Sequence, residues 1–512
     1  MLLKKLIKNI PLDKKKIKIN GLAINSKKVQ KGYIFFAIKG HNNNGEKFIK
    51  EAIKKGASVI VCSKSCKYFN KSIVTIKTSN VRYLLSEISS KFFNLKPKNI
   101  IAVTGTNGKT SVADLFYQIL LINKVPVASI GTLGIKFKKK IIKSNLTSPD
   151  TIFLHQTLEK IKKEGIDNVI IETSSHGLIQ HRIDHINFNA GIFTNLSQDH
   201  LDYHKSMRSY LKAKMILFNK IISKKKIIIT DKTLKQYELL KRISEKRQLQ
   251  LVDISLIEKK LIKNKNIKFK NFQIKNLSMA IAAAKLCNLK EKKIFRSINK
   301  IKDVDGRLEL VKIFSNNVSV YVDFAHTPDA LLKSITALKD SDNKDVSIIF
   351  GCGGNRDFKK RPLMGKIASQ NCKNIYVTDD NPRNEKPEKI RNEIIKVIKN
   401  KNCYNIKNRS LAIKTAIINA EPNEIILIAG KGHESQQIYK KKTISISDKK
   451  IVKSFNYKSK KLSNKQLTFL QNKKIFKEIK KNTKIKDFHG LAIDSRLVKK
   501  NNLFLTIRGK NH

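Results

Sequence analysis

Acidic side chains are scarce in this chain: 40 Asp and Glu stand against 106 Lys and Arg, a formal net charge of +66 over 512 residues. Arginine is scarce too, supplying 14 of the 106 and leaving 92 lysines that run through every segment. A nucleic-acid partner would call for cations gathered in a stripe and for a recognition motif. Neither is present, and lysine, isoleucine and asparagine share AT-rich codons, so the expectation is no nucleic-acid partner. The charge would still attract small anionic substrates. Long apolar runs are also missing. None approaches the roughly 20 residues of a membrane span, and the opening MLLKKLIKNIPL is too short and too broken by lysine for a signal peptide. The six cysteines (Cys62, Cys66, Cys287, Cys352, Cys372, Cys403) form no ligand-spaced pair of pairs. That pattern reads as a reduced, cytoplasmic chain without membrane insertion.

What is present suggests several domains, since one core rarely grows past roughly 250–300 residues. Residues 18–95 alternate β-like runs (YIFFAI, ASVIVC, SIVTI) with helical patterns (FIKEAIKKG, VRYLLSEISSKFF), as in a small α/β domain. Pro97 falls in a linker. NIIAVTGTNGKTSVADLFYQILL then reads as buried strand, glycine loop and helix, with Val112, Leu115, Phe116, Ile119 and Leu120 at helical spacing. NVIIE and AGIFTN continue a parallel sheet. From Gly306, the strands VSVYVDF, VSIIFG, NIYVTDD and EIILIAG alternate with helices, a doubly wound pattern.

TGTNGKTS, from Thr104 to Ser111, has the chemistry of a phosphate loop. Its glycines let backbone N–H groups turn inward at a helix N-terminus. Lys109 is suited to the β- and γ-phosphates and the Thr110 hydroxyl to Mg²⁺. The strict Walker spacing is not met, because position 103 is Val and the first glycine is Gly105.

GTNGKT, TSPD, ETSSHGLIQHR, FTNLSQDHLDYH, YLKAK, GRLE, DFAHTPDA, GCGGNRDFKKRPLMG, DDNPR and AGKGHE follow one another between Gly105 and Glu434. In that order they resemble the Mur ligase family, over roughly residues 18–455. The resemblance implies an α/β fold of three domains. These are an N-terminal UDP-sugar-binding domain (1–96), a central parallel-sheet P-loop ATPase domain (97–304), and a doubly wound, Rossmann-like C-terminal domain for the amino acid (305–455). It also implies an ATP-dependent amide ligase of peptidoglycan synthesis, acting as a monomer on UDP-N-acetylmuramoyl-L-alanyl-D-glutamate. ATP would phosphorylate the D-glutamyl carboxylate, and the incoming amine would displace phosphate from that acyl phosphate.

By the family pattern, Gly105, Thr106, Asn107, Gly108, Lys109, Thr110 and Ser111 hold ATP together with Asn276, Arg307, Asp323 and His326. Glu172 joins Thr110 on Mg²⁺, a hard ion that prefers oxygen donors. FTNLSQDHLDYH offers Asp199, His200 and His204 for a second metal, and the resemblance points to His200. In YLKAK it implies a CO₂-derived carbamate on Lys214, which requires a lysine that is neutral part of the time. Lys109, His200 and Lys214 are thus the expected catalytic group. Ser26, Thr147, Ser148, Ser174, Gln180 and Arg182 would hold the UDP-sugar. Arg356, Asp380, Asn381, Pro382, Arg383, Gly430 and Glu434 would hold the amino acid. The Arg383 fork can take a carboxylate bidentately, and the D-N-P-R form belongs to the branch adding meso-diaminopimelate. L-Lysine, a folate-type glutamate acceptor and a non-catalytic relic are the alternatives.

Asn25 and Gln273 depart from the family pattern, and the lysine-rich stretch 231–271 is short enough that outer strands are expected to be lost. After a lysine- and asparagine-rich linker (456–484), residues 485–512 echo the beginning. GLAIDSRLVKKNNLFLTIRG matches GLAINSKKVQKGYIFFAIKG at 10 of 20 positions. The echo resembles the start of the D-Ala-D-Ala-adding ligase of the same family, cut off after its first strands. Too short to bury a core, it is expected to be mobile or loosely docked and to have no activity.

Overall fold

The computed structural model describes residues 1–456 apart from positions 9, 41–42, 69–72, 139, 144–145, 265–266, 268, 270–271, 343 and 400–401, then residues 490–492 and 502–504. It divides into two compact units, Met1–Lys453 and Ser454–His512.

The first unit holds three sheets that matter for function. Four parallel strands open the chain in the order Gly21–Ala23, Tyr33–Phe36, Ala57–Ser63 and Val74–Thr78. Successive side chains of a strand point to opposite faces. Ile34, Phe36, Val59 and Val61 therefore meet Leu85 and Ile88 of helix Val81–Phe92 on one face. Phe35, Ile60 and Cys62 meet Ala52 of helix Ile49–Lys54 on the other. Asn25 still caps the turn after the first strand, its Oδ1 accepting from the Lys27 N–H at 2.9 Å.

The second sheet has eight strands, with Asn99–Thr104 between Ala190–Phe193 and Asn168–Glu172, all parallel. Ile101 and Val103 bury against Phe116 and Leu120 of helix Lys109–Ile122. Ile100 and Ala102 face the opposite core, with Leu154 and Leu158. Three neighbouring strands thus end at one rim, and the loops leaving them are the phosphate loop, ETSSHG and FTNLSQDH. Open α/β sheets bind ligands at such a rim. The stretch 231–271, where outer strands are expected to be lost, keeps one strand among its described residues. The 231–271 stretch carries helix Tyr237–Arg247, edge strand Gln250–Asp253 and helix Ser255–Lys263. Its lysines are interleaved with Leu240, Ile243, Ile257 and Leu261, which are buried.

The third sheet runs Glu309–Ile313, Ser319–Val322, Ile425–Ile428, Val346–Phe350, Ile375–Val377 and Cys403–Asn405. The first strand is antiparallel and the other five are parallel. Asp323, Gly430, Gly351 and Asp380 follow the carboxyl ends of its central strands. Arg409 and Asp448, both completely buried, close this unit through two hydrogen bonds of 2.8 Å, and Arg409 also donates to the Ala429 carbonyl at 2.9 Å.

In the second unit, Gly490–Ala492 pairs in parallel with Asn502–Phe504. The register repeats the opening residue for residue: Gly490 lies opposite Asn502 as Gly21 lies opposite Tyr33. The expected linker beyond Asn456 and the rest of the echo, with its expected mobility, lie outside the described residues. Among the described residues no helix is long and apolar enough to cross a membrane.

Breaking a buried ion pair from one side strands the other charge and costs about 3–5 kcal/mol. Asp448→Ala should therefore lower the stability of residues 305–453 by about that amount in urea unfolding. A loss under about 1 kcal/mol would show that the pair is not what holds helix Asp448–Ser454.

Candidate active site

Strand Asn99–Thr104 ends in Gly105, and Gly108 (φ 86°) caps helix Lys109–Ile122 in the left-handed region that glycine favours. A Cβ built on Gly105 would collide with the Thr194 hydroxyl, and one on Gly108 would lie 2.6 Å from Asn276 Oδ1. The loop is splinted from the neighbouring strand end. Asn195 Oδ1 accepts from the Asn107 N–H at 3.0 Å, Thr194 Oγ1 donates to the Asn107 carbonyl at 2.6 Å, and the Thr106 N–H donates to the Asn195 carbonyl at 3.0 Å.

Two ammonium groups meet at one carbonyl of this loop. Lys109 Nζ donates to Gly105 O at 2.9 Å and to Thr106 O at 2.8 Å, while Lys214 Nζ donates to Gly105 O at 2.7 Å. Burial lowers the Lys214 pKa well below that of an ordinary lysine, with Lys109 adding to the effect and Asp199 opposing it. Burial also lowers that of Lys109, against Glu172 and Asp199. Helix Met207–Ile216 brings Lys214 here, its ammonium 4.3 Å over the Tyr210 ring.

Glu172, buried at the end of its strand, accepts from the Thr110 hydroxyl at 3.0 Å and from the N–H and hydroxyl of Thr132 at 2.8 and 3.0 Å. Arg307 Nη2 donates to the same Thr110 hydroxyl at 3.1 Å, and its guanidinium lies 4.3 Å over Phe324. Among the described residues, no group of three His, Cys, Asp or Glu forms a metal cluster. The hard oxygens that do meet, Thr110 and Glu172, suit Mg²⁺.

Asp199 is the second focus. Its carboxylate has His200 Nε2 at 3.3 Å, His326 Nε2 at 3.4 Å and Lys360 Nζ at 3.5 Å. Burial opposes its charge, but Lys360, His326 and His200 together hold its pKa well below the usual carboxylate range. His200, with φ 54°, is kept neutral: burial takes its pKa to about 3, aided by His176, His326 and Lys109.

These groups line or back a single cleft of about 1370 Å³. Of the expected nucleotide residues, Thr106 through Ser111, Asn276, Arg307, Asp323 and His326 line it, with Gly105 behind the loop. Asp323 is anchored by the N–H groups of Leu308 and Phe324 at 3.1 and 2.7 Å. Arg356, Asp380, Asn381, Arg383, Gly430 and Glu434 line the same cleft, and Pro382 does not. Arg383 (φ 52°) donates through Nη1 to the Gly354 carbonyl at 2.9 Å, and its N–H donates to Ile438 O at 2.9 Å. Thr147, Ser174 and His200 line the cleft too. Ser148 is buried and spends its hydroxyl on the Glu172 carbonyl at 3.0 Å. Arg182 reaches the Ser148 carbonyl at 2.8 Å and Gln180 Oε1 at 2.6 Å. Ser26 is not among the lining residues; its hydroxyl donates to Glu51 at 2.8 Å.

Residues 18–92 match the Mur ligase family catalytic domain, 103–294 the Mur ligase middle domain, and 306–432 the Mur ligase glutamate ligase domain. A UDP-N-acetylmuramoyl-L-alanyl-D-glutamate–2,6-diaminopimelate ligase of Rickettsia montanensis is 37% identical over 463 residues, 85% of this chain and 95% of its own. The protein of that name from Aquifex aeolicus is 40% identical over 458 residues, 85% of this chain and 93% of its own.

The chain belongs to the Mur ligase family.

A solved structure carrying the same ligase name superposes on this Mur ligase with a TM-score of 0.61 at 26% identity, covering 89% of this chain and 98% of that one. The MurF ligase of Thermotoga maritima in complex with ADP superposes with a TM-score of 0.56 at 17% identity, covering 81% and 94%, and shares the fold.

Sequence reasoning missed the splint Thr194–Asn195, the carboxylate clamp Thr132 and the Asp199 focus with Lys360. The signal for the splint was available: AGIF is a buried strand, and a residue leaving the strand next to a phosphate loop must touch it. Gly108→Ala would place a Cβ in the left-handed region, at about 1–2 kcal/mol, and against Asn276. The dissociation constant for ATP should rise about tenfold or more in a nucleotide titration. An unchanged constant would contradict the loop geometry.

Proposed function

We propose that this protein adds meso-diaminopimelate to UDP-N-acetylmuramoyl-L-alanyl-D-glutamate with hydrolysis of ATP to ADP and phosphate, in peptidoglycan synthesis. The observation that carries the choice of acceptor is charge pairing at one end of the cleft. Two guanidiniums, Arg356 and Arg383, share that wall with two carboxylates, Asp380 and Glu434. An acceptor with an amino-acid group at each end supplies both complements. L-Lysine would bring an ammonium toward Arg383 and no carboxylate for its fork.

At the other end, Lys109 and the loop N–H groups take the triphosphate, and Arg307 and His326 reach it from the third sheet. Asn276 and Asp323 bound the nucleoside side. Thr110 and Glu172 are the ligands for Mg²⁺, with His200 for a second ion; the metal supplies charge neutralisation between nucleotide and carboxylate. Lys214 is the residue for a CO₂-derived carbamate. Its burial favours the neutral amine that CO₂ requires, so adduct formation falls as pH drops and the amine is protonated. Ser174 and Thr147, with Gln180 and Arg182 beside them, present the sugar-peptide, while Ser26 belongs to the uridine end.

A free carboxylate is a poor electrophile. Phosphoryl transfer from ATP to a D-glutamyl oxygen forms the acyl phosphate and releases ADP. The amine nitrogen then bonds to the carbonyl carbon and gives up a proton to the departing phosphate or solvent, as the C–O bond to phosphate breaks. The chain's contribution is alignment and charge neutralisation, worth several powers of ten when reactants are held at contact distance. We infer a cytoplasmic monomer working on small-molecule substrates.

With ATP, Mg²⁺ and the UDP-muramoyl dipeptide, phosphate release should depend on added diaminopimelate and be at least about 100-fold slower with L-lysine. Equal rates, or preference for lysine, would overturn the acceptor assignment. With ¹³C-bicarbonate, a carbamate resonance should appear that Lys214→Ala abolishes. Activity of that variant should return in part with short carboxylates, and a fully active variant would remove the carbamate.

A further inference from the structure

Lys431 is completely buried, although it lies in the loop that follows the central strand Ile425–Ile428 of the third sheet. Its ammonium has three acceptors: the Gln436 carbonyl at 2.5 Å, Glu434 Oε2 at 3.2 Å and Asn381 Oδ1 at 3.4 Å. An ammonium has three N–H donors, so this one is fully committed to protein. Asn381, also buried, donates through Nδ2 to Glu434 Oε2 at 3.0 Å and accepts the Ile438 N–H at Oδ1, also at 3.0 Å.

Both donors therefore grip the same oxygen of Glu434, and neither uses Oε1. Asn381 Oδ1, already holding two donors, is spent on the protein as well. The grip extends to the opposite charge. Ile438, whose N–H is held by Asn381, accepts the Arg383 N–H at its own carbonyl, and Arg383 pairs with Tyr439 as an isolated parallel bridge. Strand Gln436–Tyr439 thus ties the guanidinium and the carboxylate of the acceptor site to one buried cation.

We propose that Lys431 is the positioning residue of the acceptor site: with Asn381 it fixes one oxygen of Glu434 so that Oε1 faces the acceptor's distal ammonium. The proposal rests on the diaminopimelate reading of the cleft and gives Asn381 a scaffolding role. Without the grip, Glu434 regains rotamers that must be frozen again on binding. The penalty then falls on the acceptor and not on ATP or the sugar-nucleotide.

The test compares wild type with Lys431→Met on two acceptors, diaminopimelate and 2-aminopimelate, which has hydrogen in place of the distal amine. In the variant, KM for diaminopimelate should rise about tenfold or more, while KM for ATP and for the UDP-muramoyl dipeptide should stay within about twofold. The advantage of diaminopimelate over 2-aminopimelate should shrink toward unity. A variant that keeps the wild-type KM and discrimination, or that shifts all three KM values alike, overturns the proposal. Should Lys431→Met fail to fold, the isosteric Asn381→Asp decides: it retains an oxygen for Lys431 and Ile438 but turns the donor to Glu434 into a repelling oxygen. It should show the same selective rise in KM for diaminopimelate, and its absence is equally fatal. Wild type inactive with every acceptor would instead sink the ligase reading itself.

Discussion

Burying an ammonium costs several kcal/mol unless it is paired or neutralised. Among the described residues only three lysines are buried, Lys214, Lys360 and Lys431, and all three stand at one cleft. The other lysines among the described residues are at least partly exposed. The three exceptions are each held by a neighbour belonging to the site: the Gly105 carbonyl, Asp199 and Glu434. With Lys109 and Arg307 beside them, they make a wall of five basic side chains. Such a wall suits two polyanions brought face to face, and the architecture serves to hold it.

The holding is topological. Three adjacent parallel strands end at one rim of the second sheet, so loops about 65 to 90 positions apart in the chain lie side by side, and the third sheet adds its own strand ends opposite. Contacts between the two are short and specific: Asn107 Nδ2 donates to Asp329 at 3.0 Å, Gln198 donates to Asp357 at 3.1 Å, and Asp199 takes His326 and Lys360. The phosphate loop and the loops leaving the third sheet are therefore joined by hydrogen bonds and ion pairs around one cleft.

Much of this was legible in the sequence because its chemistry is local. GTNGKT after IIAV reads as a phosphate loop since glycine, lysine and threonine act within a few residues of one another. The doubly wound pattern after Gly306 follows from apolar runs such as VSIIF. What was not legible depends on distance. The second ammonium on the Gly105 carbonyl comes from 109 positions away. In the sequence Asp199 reads only as a rival of His200 for a metal, because its partner Lys360 lies far along the chain in helix Lys360–Asn371. The lysine-rich stretch to 271 concealed a complete strand and two helices, since its few apolar side chains sit at the right spacing among many solvated ones. The DNPR motif points to Asn381 but not to the scaffold bonds it also carries, its oxygen accepting from Lys431 and Ile438.

The most direct measurement follows an oxygen atom. Supply the UDP-muramoyl dipeptide with ¹⁸O in its D-glutamyl carboxylates, allow turnover with ATP and diaminopimelate, and examine the released phosphate by mass spectrometry. The account predicts one ¹⁸O in each phosphate released, because a carboxylate oxygen must leave with the phosphoryl group it received. Phosphate free of label, formed at the rate of product, would contradict the activation of substrate in this cleft.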